Sequence, residues 1–542
     1  MKRQAHIGSR LRSPVAMEPL EPRQLLSSSP VVIGDTPDAD AKSLVYTDND
    51  GTVVNVNFKR GCIEVKFDRE DAEWNITKSK AVVDGPAEIT VVSLLDSSPR
   101  STLKFSTSAP GGEDSEADEY TWVDCIVGPD LGLGQLLADK IEIGRGGIDI
   151  DHGAKLCKIG NAYETVLDFG DGDKLTFSAG YLDGVDLKFT GTIASIKVDE
   201  WSYGQITAGA VGNVKSAGYF GASIESDSSI GKVTCRQLEG DLVAHAGSIG
   251  NITVKGVAVA DSEEEEWYFD GGNILSETIY ASASIGNITL LGGSIGEESK
   301  CAITAEKGSI GKITAKFGKY RTPLFSESGR RAWETWYSQA NIEDVEVNAL
   351  KGIGLITVLG GSCGGKFMTN GRIGNVTVQG IVDRQHGTFI GGGFVSYLGG
   401  WQIGDISVTG GVSSIIKAGN RLGDITIRSQ TVKVDPDDFG WETDGAWNGM
   451  VMQSSEPMRL ALLVGGPEWR GLNRIGAIRL IGVPMILEGE IYDLAGKLRI
   501  NSKPVKNVMA YSAGEDDYVF FDTVGGPDQL TNNLSFMENQ IP

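Results

Sequence analysis

The chain has 542 residues, beyond the length at which one compact core stops growing, so it holds either several domains or an elongated repeat. Glycine numbers 73, yet 40% of residues are hydrophobic and 22% charged, a balance unlike that of disordered or collagen-like chains. The net charge of -23 disfavours nucleic acid and anionic membranes as partners, and no stretch reaches the roughly 18 apolar residues of a membrane-spanning helix.

Residues 1–29 run against the general charge. Lys2, Arg3, Arg10, Arg12 and Arg23 face only Glu18 and Glu21 in the first 25 positions, which leaves the remainder at -26. The segment lacks the apolar run of an ordinary secretory signal. Its LEPRQLL, with Leu20, Glu21, Pro22, Arg23, Leu25 and Leu26, closely resembles the LEPR-XLL motif that opens many long, repetitive bacterial proteins. The resemblance covers about thirty positions. It implies an extracellular or cell-surface location and processing near Ser27 to Ser29, and it implies no chemistry.

Residues 30–135 carry strand-like segments without a clear repeat (Thr52 to Phe58, Ile63 to Phe67, Ala87 to Leu95) and read as a β-rich module or cap. The sequence DNDG at Asp48 to Gly51, with Asp48 and Asp50, places oxygen ligands at alternate positions around a glycine turn. So does DFGDGD, with Asp168, Asp171 and Asp173. Hard cations need such ligands, so Ca2+ is the candidate ion, although neither run completes a twelve-residue calcium loop and both compositions also build plain turns.

From 136 to 482 a unit recurs: SIGNITV at 248–254, SIGNITL at 284–290, SIGKITA at 309–315. Taking the first apolar residue of each copy gives Ile193, Val211, Ile230, Ile249, Ile285, Ile310, Ile353, Ile373, Ile403, Leu422 and Ile475. The intervals are 18, 19, 19, 36, 25, 43, 20, 30, 19 and 53. The basic period is therefore about 19 residues, with 36 close to two periods and loops inserted in other copies. Inside the unit Ile252 and Val254 alternate with Asn251 and Thr253, as strands do, and no convincing helical period lies between copies. Ile249 breaks the alternation, so Gly250 is expected to turn a corner through backbone angles that other residues avoid.

The expected fold is all-β: a single-stranded parallel β-helix, or β-solenoid, with β-rich end modules. At about 4.8 Å per turn, 11 to 15 turns make a rod roughly 50 to 70 Å long. Residues 483–542, with strand-like Lys497 to Ile500 and Tyr518 to Phe521, read as a C-terminal cap that covers an open sheet edge.

Three insertions interrupt the rod and are the candidate binding loops. Residues 261–277 contain Trp267, residues 316–344 contain Trp333, Trp336 and Tyr337, and residues 430–470 contain Trp441 and Trp447. Aromatic faces stack on sugar rings or pack down on the rod. Glycan or surface matrix is the expected partner. The sequence carries no signal for oligomeric state.

The six cysteines form no CxxC pair, and Cys235 and Cys301 fall in alternating apolar strands as small core residues do. Five N-x-[ST] sequons occur, and those at Asn251, Asn287 and Asn375 are letters of the repeat. The rival to a non-enzymatic surface protein is a polysaccharide-cleaving β-helix enzyme, a lyase or glycoside hydrolase. Such enzymes resemble one another in clustered acids with a nearby His, Lys or Arg on adjacent turns. Here Asp383, Arg384 and His386 share one turn, without the Asn-Thr-Asp and Arg-Ile-Lys segments of that class, and no catalytic residue is assigned.

Overall fold

The computed structural model describes residues 30–522, less 38, 70–72, 110–118, 261–266, 297–298, 326–330, 384–387, 429–431, 435–449, 453–457, 465–473, 482–484, 492–498, 501–502, 505–506 and 513–516. The 1–29 segment with its LEPRQLL lies outside these. Among the described residues there is no helix, and the chain winds as a parallel β-helix with three faces per turn.

The first face carries the ITV of each unit. One column of it runs through Leu136, Cys157, Phe177, Ile196, Val214, Val233, Ile252, Ile288, Ile313, Ile356, Val376, Ile406, Ile425 and Ile478, each in register with the next. The second face, often a single bridge, stacks Trp201, Phe220, Leu238, Ile274, Ile295 and Ile342. The third stacks Ile206, Ile224, Leu242, Ile279, Ile303 and Val347. All of these side chains are buried and form one continuous core. Each fully buried Ile or Val contributes about 1.5–3 kcal/mol from leaving water, which is how a rod only one chain thick holds together.

Two sequence expectations change. Ile249 bridges directly to Ile285, so the 36-residue interval is one turn with an insertion and not two short turns. Gly250 does not have the positive φ expected of it. It is glycine because successive turns touch there: a Cβ on Gly250 would stand 2.8 Å from the carbonyl carbon and oxygen of Gly231, and one on Gly311 would stand as close to those of Gly286. Its amide donates to Ile230 O at 2.8 Å. The corner glycine is thus selected by close stacking rather than by backbone angle.

The neighbouring polar letter has its own task. Asn251 Oδ1 accepts the amide of Asn287 at 2.8 Å, and Asn287 Oδ1 accepts that of Lys312 at 2.8 Å. Asn375, Asp405 and Asp424 continue the column to Ala477. At this corner a side chain stands in for a carbonyl that the turned backbone cannot present.

Residues 31–108 form a cap of mainly antiparallel strands. Val31–Gly34, Cys62–Phe67 and Ile89–Asp96 pair in one set. Trp74–Thr77, Lys80–Pro86, Ser43–Thr47, Val53–Lys59 and Thr102–Ser108 pair in another. Tyr46 and Phe67 meet edge to face at 5.6 Å between the sets. Ile89–Asp96 then pairs parallel with Thr121–Gly128, and Thr102–Ser108 pairs parallel with Leu133–Ala138. The cap therefore covers the first edge of the rod and hands it two parallel templates. Farther along, parallel stacking continues through Met485–Ile491 and Ile500, and Asn507–Ser512 with Asp517–Asp522 forms an antiparallel hairpin.

All six cysteines are free and five are buried. Burial pushes the thiols of Cys235, Cys301 and Cys363 up to about 12, so they pack as small apolar groups.

Candidate functional site

Side chains that could meet a ligand gather at two corners of the rod. At the corner after the first face, four antiparallel hairpins leave the repeat. They are Val257–Ala260 with Trp267–Asp270, Gly318–Phe325 with Arg331–Ser338, Ile381–Asp383 with Thr388–Ile390, and Val432–Val434 with Met450–Met452. The third was not among the insertions read from the sequence, although the 30-residue interval from Ile373 to Ile403 exceeds the period.

The first two hairpins lean on one another. The Phe269 ring lies against Gly256, Gly292 and Gly318, where any side chain would collide with it, and its centroid is 6.3 Å from that of Tyr320. Tyr337 is partly buried, edge-on to Phe317 at 5.6 Å, with Lys319 Nζ 5.8 Å from its ring centre. Trp336 is 40% exposed. Several aromatics thus fold down on the glycine-lined corner, while Trp336 keeps an accessible face. Trp267 and Trp333 lie on hairpin strands, opposite Ala260 and Pro323. Trp441 and Trp447 lie outside the described residues, as do Arg384 and His386.

The calcium candidates have different surroundings. Asp48 is only 5% exposed. Its Oδ1 and that of Asp50 each accept the Thr52 amide at 2.8 Å. Burial first, and then the hydrogen bond shared with Asp50, push the Asp48 carboxyl up to about 7. Asp168 Oδ1 accepts the Gly170 amide at 2.8 Å and so closes its own turn, while Asp171 Oδ1 pairs with His152 Nδ1 at 2.7 Å. Among the described residues no group of three or more His, Cys, Asp or Glu side chains is placed to share an ion.

The second corner lies before the first face. In the early turns it is built by Asp151–His152–Gly153, Asp171–Gly172–Asp173 and Thr190–Gly191, where the repeat unit has not yet begun. An open groove of about 1000 Å³ runs over it, lined among others by Pro99, His152, Lys155, Asp171, Asp173 and Lys174. A second cavity of about 440 Å³ adjoins it, sharing Pro99 and Lys155, and is lined by Lys59, Arg60 and Arg100 from the cap turns. The Asp171 hydrogen bond and charge raise the His152 pKa above its ordinary value, with Asp151 and Asp130 adding to the effect.

Sequence reasoning singled out Asp171 and Asp173 but missed their neighbours. A signal was present: His152 lies 19 residues before Asp171, and Lys155 lies 19 before Lys174, which is one turn. The cap cations carried none, since antiparallel order brings them there.

No protein-family profile matches the sequence, and comparison with curated proteins and with solved structures found no match.

Proposed function

We propose that this chain is an exported or cell-surface β-solenoid that acts as a structural and adhesive element, holding glycan or matrix along the edge from which its hairpins project. The observation that supports this best is their common origin: four insertions leave one corner of an otherwise closed rod and so form a row on a single side. Solenoids carry binding insertions on one side in this manner. The LEPRQLL resemblance supports the location. Two measurements test the reading: fractionation of the source cells, where recovery in the cytoplasm overturns it, and glycan-array binding, where Trp336→Ala is expected to weaken the signal about tenfold. Unchanged binding removes the hairpin edge from the proposal.

Calcium support belongs to the same reading through Asp48 and Asp50, whose adjacent carboxyls a cation would relieve. Because the folded-state pKa of Asp48 is raised from 3.8 to about 7, its contribution to stability is complete below 3.8 and is lost as pH climbs through about 7. The melting temperature is expected to fall over that window. Calcium at pH 8 should restore it, and Asp48→Asn should abolish both effects. Equal melting temperatures in chelator and in calcium end the calcium role.

A second reading, polysaccharide cleavage, has one observation in its favour: His152 and Asp171, beside Asp173, Lys155 and Lys174, converge in an open groove on consecutive turns. Incubation with acidic and neutral polysaccharides, scored by new chain ends and compared with His152→Ala, decides it. Absence of new ends retires the enzyme.

A further inference from the structure

At the junction of cap and rod two adjoining cavities set five cations against Asp171 and Asp173, a balance opposite in sign to that of the molecule. The chain carries -23, yet Lys59, Arg60, Arg100, Lys155 and Lys174 line two adjoining cavities there. None of the five is ion-paired with a carboxylate among the described residues, whereas Arg145, Arg236 and Lys300 elsewhere each hold one. Arg60 Nη1 donates to the Arg100 carbonyl at 3.4 Å, which brings the Arg60 side chain to the turn that carries Arg100, while the Arg60 amide donates to Asp35 Oδ2 at 3.0 Å.

The shape is extended rather than round. Cap turns supply one end, and successive turns of the rod supply the other. Lys155 and Lys174 lie on adjacent turns, so the two cations are spread along the rod and not around one point. Gly134, Gly153, Gly172 and Gly191 are in the lining, and they are packed against the protein's own chain: a Cβ on Gly191 would collide with Gly172 O, and one on Gly134 would stand 2.7 Å from Ser101 O.

We propose that this groove binds a linear polysaccharide that carries acid groups. The five cations meet the acid groups, and Asp171 and Asp173 accept hydrogen bonds from sugar hydroxyls. A nucleic acid fits less well. Among the described residues no Phe, Tyr or Trp lines the groove for base stacking. The site is separate from the hairpin edge and stands whether or not that edge binds anything.

The test uses the full chain and titrates polygalacturonate, heparin, neutral dextran and single-stranded DNA. Polygalacturonate or heparin is expected to bind and to weaken as salt rises from about 0.05 to about 0.5 M, while dextran does not bind. The exposed pair Lys155→Glu and Lys174→Glu, checked for an unchanged circular dichroism spectrum and melting temperature, should lose about tenfold or more in affinity. Binding that ignores the lysine pair overturns the proposal, as does failure of both acidic glycans to bind. DNA binding as tight as either glycan, and as sensitive to the lysine pair, overturns the choice of polysaccharide and leaves a general polyanion groove.

Discussion

Two neighbouring bends lead from the third face into the first, and they look different. The one between Ile249 and Ile252 is shut in the regular turns: Ile249 and its equivalents are buried, glycine lies against glycine, and at several turns an Asn or Asp oxygen accepts the next turn's amide. The one just before it, at Gly153, Gly172 and Gly191 in the early turns, is open, with charged side chains around a groove. The first carries the recurrent unit and closes on itself, while the second lies outside the unit and leaves room for a ligand.

The comparison can be broken most severely in the shared core. Ile288→Ala removes a rung that both neighbouring turns rely on and should cost about 2–5 kcal/mol, read as a lower denaturation midpoint. A cost below about 1 kcal/mol would mean that the turns do not depend on continuous stacking. Gly286→Ala comes next, because the added methyl meets the Gly250 backbone at 2.7 Å; about 1–3 kcal/mol is expected. Were its cost negligible, glycine would not be a stacking requirement at the closed corner. Asn287→Ala should cost only about 1 kcal/mol for the acceptor it takes from Lys312. In the open corner Lys174→Ala should move stability by less than about 0.5 kcal/mol, since its exposed ammonium supports no packing. If Lys174→Ala proved as costly as Asn287→Ala, the open corner would be structural after all.

Much of the architecture was legible because it follows from parity. Ile252 and Val254 are two apart, and period and parity together imply stacked strands. The cap strands were visible as alternating runs, and Val53–Lys59 and Cys62–Phe67 fall close to where those runs placed them. The reason for Gly250 was not legible, since one turn's sequence does not show how near the next turn lies. Nor were the hairpins' common corner and the cap's cations. Both depend on distances between segments far apart in the chain, and a one-dimensional period does not encode them. The groove's own turns were half visible, as Asp171 and Asp173, because the recurrent unit marks the closed bend and carries no signal for the open one beside it.

The cap has a consequence in time as well as in space. Its strands Ile89–Asp96 and Thr102–Ser108 are complete early in the chain and already present the edges on which Thr121–Gly128 and Leu133–Ala138 assemble. Each later turn then finds a finished neighbour as soon as it emerges. The molecule can be put together in the order in which it is made, with only one growing end to protect at any moment.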